Sequence, residues 1–113
     1  MEKYNKDDLI EEYRKQKAEE GIKLSVKEAR DDVDTIFSSI MSVMGNGISA
    51  EPNKKGVRAK LQIINFGVFD LVHRKERVFG NPQNPSEPTT KKAHNKLVFS
   101  EGKMFTEIIN PVK

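Results

Sequence analysis

The chain has 113 residues, 33% charged and 35% hydrophobic, with no cysteine, which suits one domain and excludes disulfides and thiolate metal sites. No run of about 18 apolar residues is present and the polar start MEKYNKDDLI lacks an apolar stretch, so neither a membrane-spanning helix nor a signal peptide is expected. Residues 1–40 hold 8 Lys/Arg against 11 Asp/Glu, net −3, while residues 41–113 hold 12 against 6, net +6, which places the expected surface for an anionic partner in the second half.

Two helices are predicted first. Asn5 with Asp8 three residues on has the form of a capping box, Leu9, Ile10 and Tyr13 make a short apolar stripe, and Gly21 is a stop signal. Ser25-Val26-Lys27-Glu28 is a second capping box. The helix after it carries Val26, Ala29, Val33, Ile36, Phe37, Ile40, Val43 and Met44 at a 3.6-residue period, a face wide enough for more than one neighbour. Gly45-Asn46-Gly47 ends it, and residues 48–56 read as a loop. Val57, Ala59, Leu61 and Ile63 then alternate with polar residues as a half-buried strand does. Asn65 to Gly67 signals a turn or bulge, and Val68–Val72 is a second strand that runs into the basic stretch His73–Arg77. Lys91–Phe99 is the returning strand. Ser100 is read as the cap of a last helix, Glu101–Ile109, with Phe105, Ile108 and Ile109 facing the core. The fold class is α+β. The apolar supply is thin for a monomer with a projecting segment, and small chains in that position tend to dimerise.

Between the two last strands lies VFGNPQNPSEP, from Val78 to Pro88. Proline cannot donate to a β-ladder, so this is no central strand. Taken as a hairpin between Phe69 and Phe99, the segment reaches on the order of 30 Å at about 3.3 Å per residue. Residues 73–98 carry Arg74, Lys75, Arg77, Lys91, Lys92 and Lys96 against Glu76 and Glu87, net +4, and few apolar residues. Such a ribbon matches a nucleic-acid groove in size and charge. Its cations neutralise phosphates, and an apolar tip proline can wedge between base steps.

The second half of the chain resembles the HU and integration-host-factor family of bacterial DNA-bending proteins. Phe66-Gly67-Val68-Phe69 is similar to the family's FGNF-type arm start, Asn81-Pro82-Gln83 to its RNPQTG tip at the same spacing, and Phe99-Ser100-Glu101-Gly102-Lys103 to its FKPGK closure. NKDDLI and SVKEARDDVDTIF resemble its two opening helices, so the likeness runs over about residues 4–110. The resemblance implies an HU-like intertwined homodimer with two N-terminal helices, a three-stranded antiparallel sheet with a long protruding β-ribbon arm, and a short C-terminal helix. It implies one domain over 1–113, with a helical dimerisation part at about 4–47, sheet and arm at about 57–99 and the last helix at about 101–109. The function implied is architectural: duplex DNA bound through the minor groove and bent or compacted, a mechanism taken over from this family. Residue by residue, Pro82 is the intercalating proline and Asn81 and Gln83 flank it. Arg74, Lys75, Arg77, Lys91, Lys92 and Lys96 follow the phosphates, and Lys103 meets the backbone as the DNA wraps. Phe66, Phe69 and Phe99 form an aromatic packing cluster. The implied location is the nucleoid, in the cytoplasm of a bacterial or phage-infected cell.

Some positions depart from the family pattern. Gly80 stands where a basic residue usually precedes the Asn-Pro, Phe79 where a small residue is common, and Pro85 and Pro88 lengthen the return side. Phe79 is a candidate second wedge or stacking face. The longer helix-to-strand connection adds Lys54, Lys55, Arg58 and Lys60 as candidate extra contacts. His73 and His94 are the only histidines and have no acidic pair at helical spacing, so no metal site, cofactor or enzymatic activity is expected. Two other readings of the same fold are an RNA- or single-strand-binding dimer and a protein-interaction module.

Overall fold

A computed structural model describes residues 1–79 and 89–111. The chain divides into two compact units, Met1–Ser42 and Val43–Lys113.

In the first unit, α1 (Lys6–Glu19) starts at the expected capping box: the Asp8 amide donates to the Asn5 side chain and the Asn5 amide to Asp8. It ends in a Schellman turn. Gly21, at φ 84°, donates to the Ala18 carbonyl and Ile22 to that of Lys17, which satisfies two carbonyls the helix leaves open. The second box holds as well, with Ser25 and Glu28 exchanging backbone-to-side-chain bonds of 3.1 Å at the head of α2 (Val26–Gly45). Ile10, Ala29 and Val33 form the buried core of this unit, with Tyr13 and Leu24 packed on it. The Tyr13 hydroxyl donates to Asp32 at 2.8 Å, which holds the phenol above its ordinary pKa. Lys6 pairs with Asp34, and Arg14 Nε donates to the Leu24 carbonyl at 3.0 Å. The wide apolar face of α2 is covered only in part. Of the eight residues expected on it, Ala29, Val33 and Met44 are buried, whereas Ile36 is 52% exposed, and Met41 beside them is 67% exposed.

The second unit is an antiparallel sheet of order β1-β2-β5, from β1 (Val57–Ile63), β2 (Gly67–Arg74) and β5 (His94–Glu101). β3 (Arg77–Phe79) and β4 (Thr89–Lys91) pair separately as a two-stranded ribbon between β2 and β5 in sequence. Cross-strand pairing lines up Leu61, Phe69 and Phe99 in one row and Ala59, Leu71 and Leu97 in the next, which is the alternation predicted for β1. The β1–β2 turn closes with the Phe66 amide on the Ile63 carbonyl, and Asn65 takes the left-handed backbone there. Phe66, Phe69 and Phe99 pack with ring centroids 4.9 to 6.3 Å apart, as expected, and Phe105 joins them 5.6 Å from Phe66.

Three local expectations change. The last helix, α3 (Lys103–Ile109), begins after Gly102, because Ser100 and Glu101 stay in the ladder opposite Val68 and Gly67. Of the three residues expected to face the core, Phe105 packs on the cluster, whereas Ile108 and Ile109 are exposed. The returning strand is not continuous either. Lys75-Glu76 and Lys92-Ala93 fall outside the ladders on both sides at once, without a register shift between Arg74↔His94 and Arg77↔Lys91. At this break the Lys92 carbonyl accepts from the His94 ring at 3.0 Å rather than from a facing strand.

Candidate nucleic-acid interface

The pairing brings basic residues into register. Arg74 lies opposite His94, and Arg77 opposite Lys91. Around the break between sheet and ribbon, Arg74, Lys75, Arg77, Lys91, His94 and Lys96 line one depression. Among the described residues none of its five lysines and arginines makes an ion pair. Like charges held this close gain energy from any anion that enters, by displacement of counterions and by direct Coulomb attraction. An adjoining depression is lined by Lys54, Lys55, His73, Glu76 and again Arg74 and Arg77. The turn that carries Lys54 and Lys55 is built on Asn53. Its side-chain oxygen accepts from the Lys55 and Val57 amides at 2.9 and 3.0 Å, and the His73 amide donates to the Gly56 carbonyl at 2.7 Å.

Other expected residues are placed differently. Lys92 is exposed in the break but does not line the depression. Lys103 opens α3, just beyond the end of β5 that is remote from the ribbon. Phe79 is the last residue of β3, its backbone paired with Thr89. Asn81, Pro82 and Gln83 lie outside the described residues, as do Gly80, Pro85 and Pro88. Arg58 sits at the bulge of β1, where the register shifts between Val57 and Ala59. Its guanidinium donates to the Ala50 carbonyl at 2.7 Å and to Asn95 Oδ1 at 3.2 Å, so this charge ties a loop to β5 across the central strand. Lys60 faces Asp70 on β2 at 3.8 Å, and the Asp70 oxygen concerned is buried without a hydrogen bond among the described residues. In the sequence His94 stands without the acidic pair that a metal ligand would need. Its position opposite Arg74 depends on strand register, which a single chain read residue by residue does not display. No group of three or more His, Asp or Glu that could hold a metal occurs among the described residues.

The family model for bacterial DNA-binding proteins matches residues 4–110. The chain belongs to the HU family of bacterial DNA-binding proteins. DNA-binding protein HU of Streptococcus downei is 33% identical over 106 residues, covering 93% of this chain and 97% of that protein. DNA-binding protein HU-1 of Halalkalibacterium halodurans is 31% identical over 109 residues, covering 94% and 99%. An HU–DNA cocrystal structure from Anabaena superposes with a TM-score of 0.71 at 23% identity, over 96% of this chain and all of that one, so the HU-family fold extends over nearly the whole chain.

Proposed function

We propose that this chain is a non-catalytic architectural protein that binds duplex DNA through the minor groove and bends it, acting as a homodimer. The observation that carries this reading is the cationic depression formed by Arg74, Lys75, Arg77, Lys91 and Lys96 at the root of the ribbon of an HU-family chain. These residues neutralise phosphates along the groove and give largely sequence-independent, salt-sensitive affinity. Lys92, Lys54 and Lys55 widen the basic track, and Lys103 takes the backbone farther along the wrapped DNA. At the tip, Pro82 wedges between base steps while Asn81 and Gln83 bond to groove-floor acceptors. The unstacking cost is offset by the contacts that a bent duplex permits. The uncovered stripe Ile36, Phe37 and Met41 on α2 supports the homodimer, because burying it stabilises a second copy by the hydrophobic effect.

The test is a gel-shift series on linear, nicked and four-way-junction DNA at two salt concentrations, with RNA as competitor. Duplex binding that weakens with salt and strengthens on pre-bent DNA is expected; a preference for RNA or single strands, or no binding to either, overturns the reading. Bending is read separately by energy transfer across a doubly labelled duplex. Pro82→Ala is expected to lower the transfer more than it lowers affinity, and unchanged transfer removes the wedge role from Pro82.

A further inference from the structure

We infer that His94 is a proton-coupled phosphate contact: it takes up a proton when a phosphate enters the depression at the ribbon root, so that duplex affinity rises as pH falls. The inference rests on the DNA-binding reading above. The first observation is the hydrogen bond at 3.0 Å between His94 Nδ1 and the Lys92 carbonyl oxygen. A carbonyl only accepts, so Nδ1 carries the hydrogen and the neutral ring leaves Nε2 as a bare acceptor. In that state Nε2 offers a phosphate nothing but lone-pair repulsion. Protonation turns it into a charged donor, while the Nδ1 bond to Lys92 is kept unchanged.

The second observation is the company the ring keeps. From β2 the residue facing it is Arg74, its cross-strand partner. Lys75 from the break, Arg77 from β3, Lys91 from β4 and Lys96 from β5 line the same depression. Among the described residues between His73 and Val98 the carboxylate is Glu76, which lines the adjoining depression with Lys54, Lys55 and His73 rather than this one. A positive charge on His94 would sit among these cations. A phosphate in their midst reverses the sign of the local field and favours that charge. Binding therefore raises the proton affinity of the ring, and by linkage the protonated protein binds more tightly. The gain is present at low pH and is lost as pH rises through the value at which the bound-state ring releases its proton. The interruption of the ladder at Lys92-Ala93 frees the Lys92 carbonyl for this use.

The test uses the full chain and a short fluorescent duplex, with anisotropy titrations between pH 5.5 and 8.0 at constant ionic strength. Over that range ordinary carboxylates stay largely ionised and histidine changes charge. The wild-type affinity is expected to rise about fivefold to tenfold from pH 8.0 to 5.5, the order of effect of proton uptake by one group on binding. His94→Gln is expected to lose most of that rise. His94→Lys holds the tight binding at both ends. Calorimetry at pH 6.5 in buffers of different ionisation enthalpy reads the proton uptake directly, and the His94→Gln protein should take up fewer protons. Duplex binding with the same pH profile in His94→Gln overturns the proton coupling and leaves the DNA reading intact. Absence of duplex binding at every pH overturns both.

Discussion

At Gly67 the backbone leaves no room for a side chain. A Cβ there would lie 2.5 Å from the Ser100 carbonyl oxygen and 2.6 Å from two ring carbons of Phe99. Gly67→Ala must therefore move either the β2–β5 ladder or the aromatic cluster, and a loss of about 1–3 kcal/mol is expected, the usual cost of overpacking. Denaturant unfolding checks it, with Gly45→Ala as the control: nothing lies within 4 Å of a Cβ at that position, and the helix gains from the change. In the sequence Gly67 is visible as part of a turn signal and of the FGVF element. That its Cβ position is occupied by residues more than thirty positions away is a matter of register. Arg58 makes the same point in reverse. Its charge reads as free surface in NKKGVRAK, and the fold spends it on Ala50 and Asn95.

Among the elements, both helix starts were legible because capping is local: Asn5 with Asp8, and Ser25 with Glu28, satisfy amides three residues away. The strand alternation of Val57 to Ile63 was legible for the same reason. The break in the arm was not, because the ladder is lost on two distant segments together. The position of Lys91 at the edge of that break and of Lys92 within it leads to a direct expectation. Lys91→Ala with Lys92→Ala should flatten the plot of log affinity against log salt by roughly 1 to 2 units per chain, since each phosphate neutralised on duplex DNA contributes about 0.9. Titrations at four or more salt concentrations measure the slope, and an unchanged slope means that neither lysine meets a phosphate.

For the proposed assembly the decisive element is α2. A face with Ile36, Phe37 and Met41 outward is an expensive surface for a small charged chain to leave in water, where burying one such side chain stabilises by about 1.5–3 kcal/mol. Phe37→Glu combined with Met41→Glu is expected to convert the proposed dimer into a species of the single-chain mass, 12.9 kDa, and to lower its melting temperature. Sedimentation equilibrium distinguishes the two masses. A variant that remains dimeric places the contact elsewhere on the chain. The 3.6-residue period in the sequence announced the width of this face, but period alone does not say which part of it a single chain covers.

Local chemistry was readable without coordinates: the capping boxes, the Gly21 stop, the alternating strand, the charge asymmetry and the four motifs of the HU family all lie within short windows whose interactions span a few residues. What needed the folded chain was everything set by strand register and bulges. Register placed Arg74 against His94 and Arg77 against Lys91, gathered five cations from four strands and the break between them into one depression, withdrew Arg58 from the basic surface, and kept Ser100 in the sheet. The physical reason is that a one-residue slip in a ladder moves every side chain to the opposite face, so the pattern of charges on a ribbon belongs to the pairing of two segments and to neither segment alone.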